Sequence, residues 1–352
     1  HKDVVTGLTF NPSMKHVVSS SADGNVMVWN FKPKLRPYRF AGHKGAVLAV
    51  AFSGNGRLIA SGSADRTVRL WHPTVEGRSA VIKAHTGAVR SVSFSRDGKL
   101  LLTGSDDKTV KAWALPSQRF QFTLAGHMNW VRGAEFGPDS CLVVSCSDDK
   151  TVRLWDVETR ACLHVYDDHF GEVHAVRFSP DGRCVASGST DGTVKVFDVR
   201  SGALVQQYAN HTGGVNSLSF HPNGQTLLSG SNDGTIKVWD LEKGYCLQTI
   251  MCGSTCYDVC ITSDGAGIVS GHFDGSLRLW DYRTGAMERS IKGLHGSQLL
   301  SVQLGASGRT LLTCGRDNAL RVVDLRTMEA RGAVGPPGLK LALGGKVRAA
   351  LA

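Results

Sequence analysis

The sequence predicts an all-β fold, a closed β-propeller of eight repeat units with four antiparallel strands to each blade. Three observations carry that expectation. A histidine recurs at His43, His85, His127, His169 and His211, forty-two residues apart each time. An aspartate keeps the same step at Asp65, Asp107, Asp149, Asp191 and Asp233. An aromatic ring follows each aspartate by six positions, at Trp71, Trp113, Trp155, Phe197 and Trp239. The frame extends back to His1, Asp23 and Trp29, and forward to Asp274 with Trp280 and Asp317 with Val323. Eight units therefore fill nearly the whole chain. A period of about forty residues, with turn signals about every 8–12, suits four short strands per unit. Closing the ring removes exposed sheet edges, which favours eight blades over seven plus a loose unit.

Unit 1 sets the pattern for the rest. Val4 to Phe10 alternates as a strand, Asn11-Pro12 turns, and Val17 to Ser20 returns. Asp23-Gly24-Asn25 makes the next turn, Val26 to Trp29 is the third strand, and Tyr38 to Phe40 a short fourth. Period-2 alternation between such turns is what half-buried antiparallel strands require. Units 2 to 6 repeat it, with turns such as Arg96-Asp97-Gly98 and Pro222-Asn223-Gly224, where Gly supplies the backbone angles. Unit 4 has Pro138-Asp139-Ser140 instead. Units 7 and 8 drift: Cys252-Gly253 stands where a Gly-His is expected, and Val323 replaces the ring, although His295 restores the histidine.

The propeller is expected over 1–334, followed by 335–352, a Gly-Pro-Pro-Gly linker and the first strand of a truncated further repeat. Residues 345–351 echo 87–93, and the chain opens on His1 rather than Met, so the sequence reads as a piece of a longer protein. No apolar run approaches the ~20 residues of a membrane-spanning helix. Nine cysteines at irregular spacing, with Cys141, Cys184 and Cys314 in predicted strands, suggest reduced, buried thiols of a cytoplasmic protein. The formal charge of +10 is dispersed, without the clustered cations and stacking aromatics of a nucleic-acid platform, so nucleic acid is an unlikely partner and acidic protein surfaces fit better.

Each full unit carries a histidine, a hydroxyl, an aspartate and a ring: His43, Ser61, Asp65 and Trp71; His85, Thr103, Asp107 and Trp113; His127, Ser145, Asp149 and Trp155; His169, Ser187 and Asp191; His211, Ser229, Asp233 and Trp239. A hydrolase triad uses the same residue types. Repetition in most units argues instead for a structural network that pairs buried polar groups. No catalytic residue, cofactor or metal site is expected. Cys252, Cys256, Cys260 and His272 lack a second Cys-x-x-Cys to complete a zinc set, and Asn210-His211-Thr212 is a glycosylation sequon without a secretory context.

Positions free to differ between units lie where the histidine loop and the aspartate turn emerge together. Trp130 and Phe170 are large rings in adjacent loops, with Arg132 and Lys44 as charged flanks. Asp106, Asp148, Phe273 and Arg316 precede turn aspartates, and Tyr257 opens unit 7. Aromatic and Arg enrichment is the composition of an interface hot spot, so this rim is the expected partner site.

The Gly-His and Trp-Asp signature resembles that of WD-repeat (WD40) propellers. Two stretches are more specific. Residues 27–40, with both Ser-Asp-Asp-Lys-Thr-Val strings (105–110 and 147–152) and Asn129 to Arg132, resemble the Proteome-of-Centriole-1 family, WD-repeat proteins of centrioles and basal bodies, over about 1–240. Residues 252–256, 270–274 and 323–327 resemble the propeller of autophagy-related protein 16, over about 225–340. The first resemblance implies a protein-interaction scaffold of the centriole or basal body, in cilium assembly, with tubulin or centriolar components as partners. The centriolar family has seven blades, and the eighth unit departs from it. An autophagy adaptor is the rival within the class; a basic propeller binding RNA, or an enzyme-complex subunit, is the rival outside it.

Overall fold

The computed structural model describes residues 1–30, 37–74 and 78–334. The expected linker at 335–338, the truncated further repeat, and 31–36 of the first-unit string lie outside the described residues. Eight four-stranded antiparallel sheets each pair in strict chain order, and no helix occurs among the described residues. The blades span 5–41, 47–82, 89–125, 131–166, 173–208, 215–251, 256–291 and 299–334. The ring therefore has eight blades.

Burial within a blade follows from its place in the ring. The second strand is packed on both faces, and Leu142–Ser147 is buried at every residue after the first. The fourth strand is the outer edge, so along Cys162–Tyr166 the side chains of Leu163 and Val165 face solvent. The first strands line a central channel, each against the next, and Val5–Phe10 meets Leu299–Leu304 to close the circle.

No strand is exchanged at the closure, because blades 1 and 8 each supply all four of their own strands. Packing between blades holds the ring instead. Val5, Leu8, Val17 and Trp29 pack on Leu312, Cys314 and Leu320 of blade 8. The same joint recurs: Trp155 packs on Leu102, Val110, Ala112 and Phe122 of blade 3, and Trp71 on Val18, Val26, Val28 and Phe40 of blade 1. Where a blade carries the ring it thus seals the interface to the preceding blade, Val323 taking that place in blade 8, and burying a large apolar side chain contributes about 1.5–3 kcal/mol.

All nine cysteines are free. Cys141 departs from the sequence expectation, being exposed and one residue short of its strand. The Asp139 carboxylate accepts its N–H at 3.0 Å and Ser140 takes a left-handed φ of 61°, which keeps Cys141 in the turn.

Candidate functional site

The repeated polar residues meet inside each blade joint. In blade 2, His43 Nδ1 lies 2.9 Å from Asp65 Oδ2 and His43 Nε2 2.8 Å from Ser61 Oγ. Trp71 Nε1 donates to the same hydroxyl at 2.8 Å. The pattern recurs through His85, Thr103, Asp107 and Trp113; His127, Ser145, Asp149 and Trp155; and His211, Ser229, Asp233 and Trp239. His1, Ser19, Asp23 and Trp29 complete it in blade 1. Blade 5 joins His169, Ser187 and Asp191 but has Phe197, stacked on Tyr166 at 4.0 Å, where the indole would be. Blade 8 joins His295, Thr313 and Asp317 without a ring.

The aspartate also accepts the N–H after the histidine, as Asp65 does from Lys44 at 2.9 Å, and so ties loop to turn. Burial alone would push the Asp65 carboxyl up. Bonds from Thr67, Lys44 and His43 outweigh it and hold the carboxyl at about 2. Burial lowers His43, His169, His211 and His295, against the pull of their aspartates. Ser61, Ser145, Ser187 and Ser229 are wholly buried, so none can present a nucleophile to a substrate.

Blade 7 solves the lost histidine differently. His272 Nε2 lies 2.8 Å from Ser270 Oγ, the hydroxyl to which Trp280 Nε1 donates, and His272 Nδ1 lies 3.3 Å from the Ser254 carbonyl. Burial lowers this imidazole to about 4. Burial likewise pushes the Cys252 thiol up to about 12 and Cys256 well above its usual value, so these thiols stay protonated.

The rim is organised by a β-bulge in the first strand of every blade. A bulge re-aims the extra residue, here Thr6, Leu48, Arg90, Arg132, His174, Asn216, Tyr257 and Leu300, and the last six of these line the channel. Several meet the residue preceding the turn aspartate of their own blade. Arg90 bonds Asp106 through both Nε and Nη2, and Arg132 bonds Asp148 likewise, at 2.6 Å for each contact. Asn216 donates to Asn232 at 2.8 Å, and Tyr257 stacks with Phe273 at 6.3 Å. The guanidiniums of Arg90 and Arg132 both lie over the Trp130 ring, 5.1 and 5.5 Å from its centroid.

Beside this platform Met128, Trp130 and Phe170 are 74%, 43% and 84% exposed. Arg132 is a fixed member of the platform rather than a free flanking cation. Lys44 stands two blades away on the same rim, Phe273 of blade 7 is exposed, and Arg316 lies in the blade 8 turn, its N–H donating to Gln298 O at 2.9 Å.

Below the mouth, charged groups bridge the inner strands. Glu135 of blade 4 accepts the Phe178 N–H at 2.9 Å and pairs with Arg177 of blade 5 at 3.2 Å. Asp258 of blade 7 accepts from Ser217 of blade 6 at 2.7 Å, and from Ser301 and the Val302 N–H of blade 8 at 3.0 and 2.9 Å. Burial raises the Asp258 carboxyl, although these bonds oppose it. The channel at this level encloses about 430 Å³.

Asp148, Glu172 and His174 bring ligand atoms within 4.8 Å of one another, the one grouping among the described residues with the composition for a metal ion. Both Asp148 oxygens already receive Arg132, so an ion-pair cluster accounts for it.

Sequence reasoning missed Asp258, the Glu135–Arg177 pair and the role of His272. A signal existed for Asp258, since the corresponding positions of the other units are small: Gly7, Ala49, Ser91, Gly133, Ala175, Ser217 and Ser301.

Comparison with known proteins bears on both halves of the chain. The profile of the WD domain, G-beta repeat, matches 1–30, 36–72, 77–114 and 118–156. That of the IFT122 first beta-propeller matches 147–334, more than half the chain. Autophagy-related protein 16 of Arabidopsis thaliana is 34% identical over 98 residues, 28% of this chain and 19% of that protein. POC1 centriolar protein homolog B of Xenopus laevis is 55% identical over 40 residues, 11% of this chain and 8% of that protein. Homolog A of Danio rerio is 54% identical over 39 residues, 11% and 9% respectively. The chain thus spans no more than 19% of the length of these relatives.

Proposed function

Because the chain belongs to the family of the IFT122 first beta-propeller, we propose that it is a non-enzymatic WD-repeat scaffold that holds partner proteins on its rim. The observation that carries this reading is the exposed cluster of Met128, Trp130 and Phe170 set against two carboxylate-locked arginines. Anchors of this kind, held rigid before binding, lose little freedom on association. The His-Ser-Asp sets are spent on blade joints, and their hydroxyls are sealed from substrate.

The assembly we favour is a cytoplasmic one at the centriole or basal body, with tubulin or another centriolar component as partner. Identities of 54–55% to the POC1 centriolar proteins over short stretches support it. The longer match to autophagy-related protein 16 supports a second reading, an autophagy adaptor. Co-sedimentation with microtubules over a salt series separates the two. The centriolar reading expects binding that weakens as salt rises, since exposed charges are screened beyond about 10 Å at 0.1 M. Absence of binding at low salt counts against tubulin and in favour of the adaptor.

A further inference from the structure

Three turn residues on consecutive blades hold a backbone conformation that suits none of them. Arg66, Lys108 and Lys150 have φ of 71°, 71° and 72°. There the Cβ of an L-residue crowds its own backbone. Four other blades place glycine at this position, Gly24, Gly192, Gly234 and Gly275, with φ between 73° and 78°. Glycine would hold the turn with less strain, and all three cationic side chains are exposed, so packing does not account for them. Backbone strain that persists at one arc of a repeat is a pointer to function.

The turn carboxylates next to these cations in sequence are already committed. Asp65, Asp107 and Asp149 pair with His43, His85 and His127, and Asp106 and Asp148 with Arg90 and Arg132. Among the described residues, neither these three cations nor Lys44 enters an ion pair with a side chain. The arc also runs into the apolar cluster. Asp149, one residue before Lys150, accepts the Met128 N–H at 2.8 Å, and the loop that opens each blade crosses the preceding turn, as His85 N–H donates to Arg66 O at 3.2 Å. Met128 and Phe170 stand at its end, 74% and 84% exposed.

We propose that Lys44, Arg66, Lys108 and Lys150, with Met128 and Phe170, form one docking surface for an acidic linear segment of a partner protein. This deepens the scaffold reading and rests on it. Carboxylates along the segment meet the cationic arc, and a large apolar side chain seats against Met128 and Phe170. A peptide is favoured over a nucleic-acid strand because Trp130 already carries the guanidiniums of Arg90 and Arg132 over its ring, whereas stacking a base needs an open aromatic face.

The test is fluorescence anisotropy of the whole chain with a labelled synthetic peptide, glutamates around a central Leu-Phe pair, from low to high salt. The triple variant Arg66→Gly, Lys108→Gly, Lys150→Gly relaxes the turns, so it should melt no lower than the parent. It should nevertheless lose about tenfold in affinity, since three exposed charge contacts, each modest alone, are removed together. Its salt dependence should shrink with it. The variant Met128→Ala, Phe170→Ala should lose affinity yet keep the salt dependence. Parent-like binding by the glycine variant, with loss in the apolar variant, overturns the acidic assignment and leaves the scaffold reading standing. A parent chain that ignores the peptide at low salt also overturns it. So does an oligouridylate of equal charge that binds more tightly than the peptide.

Discussion

His272 reaches Ser270 from two residues along the same strand, whereas the other seven blades bring the imidazole to that hydroxyl from the loop before the blade. Residues two apart on a strand share a face, so the substitution is sterically simple. Blade 7 thereby keeps the hydroxyl and the Trp280 indole paired after the loop has become Cys252-Gly253. It gives up the aspartate partner, since His272 Nδ1 meets the Ser254 carbonyl instead.

That exchange sets a pH dependence. The folded chain holds His272 at about 4 against an ordinary 6.5, so protonation favours the unfolded state. The stability of the neutral imidazole is full above pH 6.5 and is lost as pH falls from there to about 4, on the order of 3 kcal/mol. His43, His169, His211 and His295 shift the same way. Thermal melts across this range should fall with acidification, and His272→Asn should start lower but fall less steeply. Equal slopes for parent and variant would place the titration elsewhere.

His127→Ala or Asp149→Ala should lower stability by about 1–3 kcal/mol, because each leaves buried partners without a bond. Urea denaturation reads the loss directly. An unchanged midpoint for both would mean that the network contributes nothing to the joint.

Asp258→Ala should act on three blades at once, since its carboxylate takes bonds from Ser217, Ser301 and Val302 as well as the Val259 N–H. A loss of about 1–3 kcal/mol is expected. Faster amide exchange in Val215–Phe220, Cys256–Ile261 and Leu299–Leu304 should accompany it. Exchange confined to blade 7 would contradict a clasp across blades.

The sequence made the blades legible because each His, Asp and ring recurs in fixed register, and a repeated physical requirement leaves a repeated residue. The bulge at Arg90 and Arg132 was not legible as geometry: one extra residue on a strand leaves the alternation nearly intact, so their pairing with Asp106 and Asp148 emerged only in three dimensions. Asp258 and Glu135 stayed hidden for another reason. Asp258 is a single departure in a column of small residues, which carries weight only once that column is known to line a channel, and Glu135 gains its meaning only from Arg177 at the same position of the next blade.

The most direct test of the scaffold reading pairs a binding measurement with a melt for Trp130→Ala, Phe170→Ala. Both rings are exposed at the rim and neither belongs to a blade joint, so the variant should melt within a degree or two of the parent, as surface changes within about 0.5 kcal/mol do. Its affinity for microtubules, or for whichever purified partner the parent binds, should fall by about 2 kcal/mol or more, some thirtyfold. Parent-like affinity in a variant that is fully folded would contradict the assignment of the rim at blades 4 and 5.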